Sequence, residues 1–210
     1  IRANNYLENF KDFFSQKDEE SPFVFWYGAH EPHRVYEYKT GIKSGKNIEA
    51  VQVPQFLPDN EVVRNDVLDY ILEIEHFDNH LLQMINFLKE IGELDNTFIL
   101  VTADNGMPFP YAKANVQEFG THVPLAISLP NGAKGKEVQD PVALIDLAPT
   151  LMELLGLSDS MNTSGKSLIP VLRQDQHPPH REYVLTGRER HTHARPDNLG
   201  YPARAIRTKE

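Results

Sequence analysis

The apolar positions of this chain follow two spacings. Over residues 61–91, Val63, Val67, Ile71, Ile74, Phe77, Leu81, Met84 with Ile85, and Leu88 recur every three or four positions. That period predicts one long amphipathic helix, with Gly92 as its stop. A shorter helix is predicted over 4–16, with Tyr6, Phe10, Phe13 and Phe14 on one side. A third, from Asp146 to Leu155, is ended by Gly156. Short β-prone runs lie between the helices at 22–27, 98–102, 123–129, 142–145 and 183–186. Each reads as a buried strand. Residues 38–60, punctuated by Gly41, Gly45, Pro54 and Pro58, read as surface loop.

Strands alternating with helices predict an α/β fold with a mixed, mostly parallel sheet flanked by helices. In such sheets, sites gather beyond the carboxyl ends of strands. Two polar clusters occupy that position: Gly28-Ala29-His30-Glu31-Pro32-His33-Arg34 after the run at 22–27, and Ala103-Asp104-Asn105-Gly106 after the run at 98–102. No internal repeat or low-complexity segment interrupts the pattern.

Composition narrows the picture. The chain has 210 residues, 40% of them hydrophobic, enough for a core of ordinary size. No apolar run approaches the ~20 residues that a membrane helix needs. The net charge of −9 argues against a general nucleic-acid binder. There is no cysteine, which removes disulfides and thiolate metal sites from consideration. The chain starts at Ile1, with neither an initiator Met nor a signal pattern, and is expected to come from something longer.

Adjacent Asp104 and Asn105 can offer a carboxylate and a neutral amide oxygen to one hard cation. Gly106 lets the backbone turn beneath them. The same triplet is also a common surface turn. A histidine just past a buried strand, such as His30, can hydrogen-bond an anion or move a proton near neutral pH. His33 shares its loop, and the pair can equally be ordinary loop histidines. Lys113, on a loop able to fold back, can face an anionic oxygen, although most lysines are solvated. Arg188, Arg190, Arg195, Arg204 and Arg207, with His191 and His193, form a basic stretch in an acidic protein. Arginine suits sulfate and phosphate through paired N–H donors.

Taken in order, these segments resemble the sulfatase family of the alkaline-phosphatase-like superfamily. They comprise Ala-His-Glu-Pro-His-Arg, a long helix, Gly-Glu-Leu-Asp-Asn-Thr, Phe-Ile-Leu-Val-Thr-Ala-Asp-Asn-Gly, Val-Pro-Leu-Ala-Ile and Ala-Leu-Ile-Asp-Leu-Ala-Pro-Thr-Leu. His30 to Arg34 and Asn105 to Pro110 look most like the sulfamidase branch. The resemblance covers roughly residues 20–208.

It implies hydrolysis of a sulfate ester or N-sulfate, with a sulfated sugar as partner, one Ca²⁺ and a formylglycine nucleophile. Asp104 and Asn105 would be two of the calcium ligands. His30 and Lys113 would be the catalytic sulfate contacts. His33, His122, Arg190 and His191 would be candidates for the substrate pocket. Residues 1–175 would be the C-terminal part of the catalytic α/β domain, and 176–210 the start of a C-terminal subdomain. A periplasmic, secreted or lysosomal parent protein would fit the family. One departure is plain. The nucleophile motif (Cys or Ser, any residue, Pro or Ala, any residue, Arg) is not present. Only Ser128 has Pro two residues on, and Gly132 stands where Arg is required. The nucleophile and the paired aspartates that complete the calcium site are therefore expected outside this chain, which alone should not turn over substrate.

Two other readings stand beside this one. A phosphodiesterase or phosphonate hydrolase of the same superfamily is disfavoured by Asn105, because two-zinc members tend to carry a nitrogen ligand there and an amide oxygen suits Ca²⁺ better. A non-catalytic, metal-dependent carbohydrate-binding piece is supported only by the missing nucleophile.

Overall fold

The longest element begins where Asn60 accepts the Val63 N–H, satisfying one of the orphan donors of a helix start. Helix α3 then runs Glu61–Glu90, with Glu61 in its first turn and Lys89 in its last, charges that complement the helix dipole. Gly92 follows with φ 77°, a left-handed conformation that glycine adopts at no steric cost. The structure is a computed structural model that describes residues 4–157, 162–173, 177–189, 197 and 199–209. It divides into two compact units, Ile1–Asp95 and Asn96–Glu210.

In the first unit, helix α1 (Tyr6–Gln16) is capped by Asn5, whose side chain accepts the Glu8 N–H. Phe10 is buried and meets Phe14, Phe25 and Phe87 at ring separations of 4.6–5.8 Å. Phe13 and Phe14 contact Phe23 and Phe25, and Tyr27 stacks on Phe77 of α3 at 4.8 Å. The expected strand at 22–27 keeps its alternation, with Phe23, Phe25 and Tyr27 turned inward. It pairs with no described strand. Its other face is open, with Val24 87% and Trp26 88% exposed. Local sequence sets the extended backbone, but a strand also needs a partner to hydrogen-bond, and none of the described residues supplies one.

The loop expected at 38–60 holds a short helix, α2 (Thr40–Lys43), and a 3₁₀ turn at Ile48–Ala50. Asp69 of α3 explains α2. Its buried carboxylate accepts the N–H groups of Lys39 and Gly41, each at 2.8 Å. The buried face of α3 differs accordingly from the expected apolar stripe. Val67, Leu68, Met84 and Leu88 are buried, and so are Asn65, Asp69, Glu73 and His80, whereas Ile74 is exposed.

In the second unit, β1 (Ile99–Thr102) pairs antiparallel with β2 (Leu125–Ser128), in the register Ile99↔Ser128 to Thr102↔Leu125. β3 (Tyr183–Arg188) pairs antiparallel with β4 (Ala203–Thr208). The α/β character stands, but the parallel pairings that alternation predicts are not among these ladders. A short helix α4 (Glu118–Thr121) precedes β2; α5 (Leu147–Leu154) and α6 (Ile169–Arg173) follow it.

The expected strand at 142–145 is instead a turn into 3₁₀ helix at Leu144–Asp146. Asp146 is the cause. It is fully buried, and its carboxylate accepts from the N–H groups of Ala143 and Lys166 at 3.0 and 2.8 Å. His180 lies 3.1 Å away, and the Arg181 guanidinium is ion-paired to the same carboxylate. The Thr150 hydroxyl donates to the Asp146 carbonyl and accepts from the Leu168 N–H. One residue and its helix thus tie together three segments, at 143–150, 166–168 and 180–181. Burial pushes its pKa up, but Arg181, the two N–H groups and His180 more than reverse this, leaving it at about 2 against an ordinary 3.8.

A folded-state pKa below the unfolded one stabilises the fold above the unfolded value. That contribution should be complete above pH 3.8 and disappear as pH falls towards 2. Hydrogen exchange at Ala143, Lys166 and Leu168 should accelerate over this interval, and Asp146→Asn should remove the pH dependence. The same substitution leaves the part-buried Arg181 guanidinium without its carboxylate and should cost about 3 kcal/mol in urea denaturation. An unchanged midpoint would show that Asp146 does not organise this unit.

Candidate active site

Thr102, the last residue of β1, donates its hydroxyl to the Pro124 carbonyl at 2.8 Å, fastening the strand end beside β2. Two residues on, Asp104 is exposed and Asn105 half-buried. Neither side chain makes a hydrogen bond or ion pair with another described residue, so a carboxylate and an amide oxygen are free to take a cation. This donor set suits a hard, oxygen-seeking ion. Among the described residues no three His, Asp or Glu side chains converge as a metal site. A cation held by this pair would need further ligands beyond the described carboxylates and imidazoles.

The backbone beneath them is fixed by two glycines. Gly106 N–H donates to the Gly120 carbonyl at 3.1 Å, closing the loop between them. A Cβ on Gly106 would fall 1.8 Å from the Phe119 carbonyl oxygen, and one on Gly120 would fall 2.4 Å from the Asn115 carbonyl oxygen. Only glycine permits both approaches. Inside the loop, Phe109 and Ala112 are buried, and Lys113 N–H donates to the Met107 carbonyl at 3.1 Å. The loop thus folds back as expected, returning the Lys113 backbone to three residues past Asp104. The Lys113 ammonium is half-buried and pairs with no described residue.

His122, just past α4, is exposed and hydrogen-bonded through Nδ1 to Glu118 at 2.6 Å. Glu118 also pairs with Arg207. Arg204 pairs with Glu189, and Arg188 donates to the Ala114 carbonyl and lies over the Tyr201 ring. Three arginines of the basic stretch therefore hold the second unit together rather than standing ready for an anion. Arg190, His191, His193 and Arg195 lie outside the described residues.

His30 and His33 belong to the first unit. A turn in which His33 N–H donates to the His30 carbonyl at 2.9 Å brings the rings to 5.6 Å. Both are exposed. His33 Nδ1 donates to the Arg34 carbonyl at 2.8 Å, whereas the His30 ring has no hydrogen-bond partner among the described residues. The loop is clamped to α3 by Arg34, whose guanidinium makes two bonds of 2.9 and 2.8 Å to Asp66, and by the Tyr36 hydroxyl on the same carboxylate at 3.2 Å. This pairing raises the Arg34 pKa. Between them, Val35 holds φ 118°, an unusual conformation for a β-branched residue that the Asp66 grip on both its neighbours sustains.

Sequence reasoning missed Asp66, Gly120 and the pair Tyr6–Glu31. Signals for the first and last existed: acidic residues amid an apolar helical stripe, and a carboxylate between His30 and Pro32.

Comparison with known proteins places this architecture. A solved structure from work on glycosaminoglycan metabolism in Bacteroides thetaiotaomicron superposes on 97% of this chain and 46% of its own, with a TM-score of 0.75 at 19% identity, showing the shared fold. The phosphonate monoester hydrolase of Silicibacter pomeroyi matches 68% of this chain and 29% of its own, with a TM-score of 0.56 at 27% identity. The Sulfatase family model matches residues 2–157, so the chain belongs to the sulfatase family. Human N-sulphoglucosamine sulphohydrolase is 27% identical over 194 residues, covering 77% of this chain and 39% of the human protein. An N-acetylglucosamine-6-O-sulfatase of Bacteroides thetaiotaomicron is 28% identical over 155 residues, 71% of this chain and 26% of that protein. The chain spans about two fifths or less of the length of these two relatives.

The glycine pair provides a test. Gly106→Ala forces the Phe119 carbonyl aside, an overpacking cost of about 1–3 kcal/mol or more. The thermal midpoint should fall, and amides between 106 and 122 should lose exchange protection ahead of the rest of the unit. A variant that melts like the wild type would mean that the loop does not close through this contact.

Proposed function

We propose that this chain carries the cation-binding and sulfate-binding side groups of a sulfatase that removes a sulfate ester or N-sulfate from a sugar. The observation that carries the reading is that Asp104, Asn105, Lys113 and the His30 ring, which have no partner among the described residues, stand on two loops that each follow an apolar run. Loops that follow the apolar runs of an α/β fold are where such folds place ligand sites.

In this reading the Asp104 carboxylate and Asn105 amide oxygen bind Ca²⁺. The donor chemistry fits that ion, and the remaining ligands come from elsewhere in the full-length protein. The formylglycine expected of the family would supply a nucleophile for sulfuryl transfer, also from elsewhere. The residues of this chain bind and orient. The Lys113 ammonium meets charge on the peripheral sulfate oxygens, which grows in the transition state. The His30 ring hydrogen-bonds the sulfate and can hand a proton to the leaving oxygen or nitrogen. His33, 5.6 Å from His30, would face the sugar. The sugar assignment is supported by the two glucosamine-directed relatives, each under 30% identical.

The likeness to a phosphonate monoester hydrolase favours a second reading, cleavage of a phosphonate ester. Both chemistries need a cation and cationic donors, and they separate on substrate.

In the full-length protein, sulfate release from an N- or O-sulfated glucosamine should be lost on chelation and restored by Ca²⁺. Lys113→Ala should lower kcat about 10²–10³-fold, the usual cost of one preorganised charge donor. Asn105→His should raise the requirement for Ca²⁺ and shift preference towards Zn²⁺. Faster hydrolysis of a phosphonate ester than of any sulfated sugar would establish the second reading.

A further inference from the structure

A buried polar chain runs beneath His30. The Tyr6 hydroxyl, from α1, donates to Glu31 Oε2 at 2.8 Å and accepts the backbone N–H of His30 at 3.1 Å. The Glu31 side chain is 1% exposed. Its second oxygen, Oε1, has no hydrogen-bond partner among the described residues and lies 4.0 Å from His76 Nε2. His80, one turn further along α3, stands edge-on to His76 at 4.8 Å and to Tyr6 at 5.3 Å. Burial, with His76 adding to it, lowers its pKa against a weaker opposing pull from Glu31. The carboxylate therefore sits in apolar and aromatic surroundings with one hydrogen bond.

Stability does not account for Glu31. A buried carboxylate so sparsely partnered is costly, and an apolar side chain of similar volume is often as stable or more so. What the carboxylate does achieve is direction. With its proton committed to Glu31 Oε2, the Tyr6 oxygen must turn its lone pairs elsewhere, and the His30 N–H is what it meets. Removing the carboxylate frees the hydroxyl to rotate and releases that backbone contact.

We propose that Glu31 and Tyr6 are positioning residues for His30, with Glu31 acting through the Tyr6 hydroxyl to fix the backbone from which the sulfate-contacting ring projects. This rests on the sulfatase reading above. Displacement of a reacting group by about 1 Å can cost on the order of 10²-fold in rate, so a device that holds one backbone N–H has catalytic consequence without touching substrate.

The test uses the full-length protein with a sulfated glucosamine. Tyr6→Phe, which keeps the ring against Tyr27 and His80, should lower kcat about 10- to 100-fold while KM changes little. Glu31→Leu should do the same yet melt no earlier than wild type, so that stability and activity part company. Glu31→Gln, which still offers an oxygen to the Tyr6 hydroxyl, should restore most of the rate. Full activity in Tyr6→Phe, or losses that only track the folded fraction, would overturn the proposal. Should the wild type release no sulfate from any sulfated sugar, the sulfatase reading itself fails. The positioning contact is then judged by hydrogen exchange at the His30 amide. Faster exchange in Tyr6→Phe, with protection in α1 and α3 unchanged, supports it, and unchanged exchange rejects it.

Discussion

A carboxylate taken out of water must be met by donors, and both units are arranged around that requirement. Asp69 on α3 has no cation beside it. Two backbone N–H groups from residues 39–41 come to it instead, and α2 exists because of them. Asp146 draws in N–H groups from Ala143 and Lys166 together with the Arg181 guanidinium, and it turns an apolar run into a 3₁₀ bend. Asp66, half-exposed, does the same for the loop that carries His30 and His33. Hydrophobic burial supplies most of the stability of such units, but it is non-directional. The carboxylates decide where the loops go.

The same accounting separates paired from unpaired charge. Arg34, Arg204, Arg207 and His122 have carboxylate partners, and Arg188 has carbonyls. Asp104, Asn105, Lys113 and the His30 ring have none among the described residues. Exposed lysines and aspartates are often unpaired, so one such group means little. Here the free groups sit on two loops, each following an apolar extended run, and the Asp104 loop is closed by glycine contacts too tight for any other residue. A loop held that rigidly costs little to order against a ligand, which is what the proposed function asks of it.

Much of this was legible in the sequence. The period of three and four over 61–91 gave α3 almost to the residue, because Asn60 and Gly92 mark its ends chemically as well as by pattern. The Asp-Asn-Gly motif follows β1, and the His-Glu-Pro-His motif follows the unpaired apolar run at 22–27. What failed depended on tertiary partners. Residues 142–145 are apolar enough for a strand, but Asp146 imposes a turn. Residues 22–27 have the right alternation, yet pairing is a property of two segments and not of one. Of the arginine-rich stretch, Arg204 and Arg207 have carboxylate partners, Glu189 and Glu118, that are invisible to a linear scan. One pattern was present and overlooked. Asn65, Asp69, Glu73, His76 and His80 recur at helical spacing, a polar stripe inside an apolar one, and such a stripe announces buried hydrogen bonding.

A hard cation at Asp104 and Asn105, as proposed above, would have a physical consequence for which ester is cut. A sulfate monoester carries one negative charge, as a phosphonate monoester does, whereas a phosphate monoester carries up to two and needs more positive charge to balance its transition state. Two transition metals gripped by imidazoles suit the more highly charged group. A single oxygen-bound cation with one lysine suits the less charged one. An amide at position 105 lowers the affinity for zinc without abolishing cation binding, whereas an imidazole there would raise it. The side chain next to the aspartate would then bear on substrate class by selecting for metal softness, without having to touch the sugar. A phosphonate monoester hydrolase and glucosamine sulfatases are both similar to this chain, and their esters carry the same single charge. The scaffold supplies strand-end loops, and the donor atoms placed on them decide the chemistry.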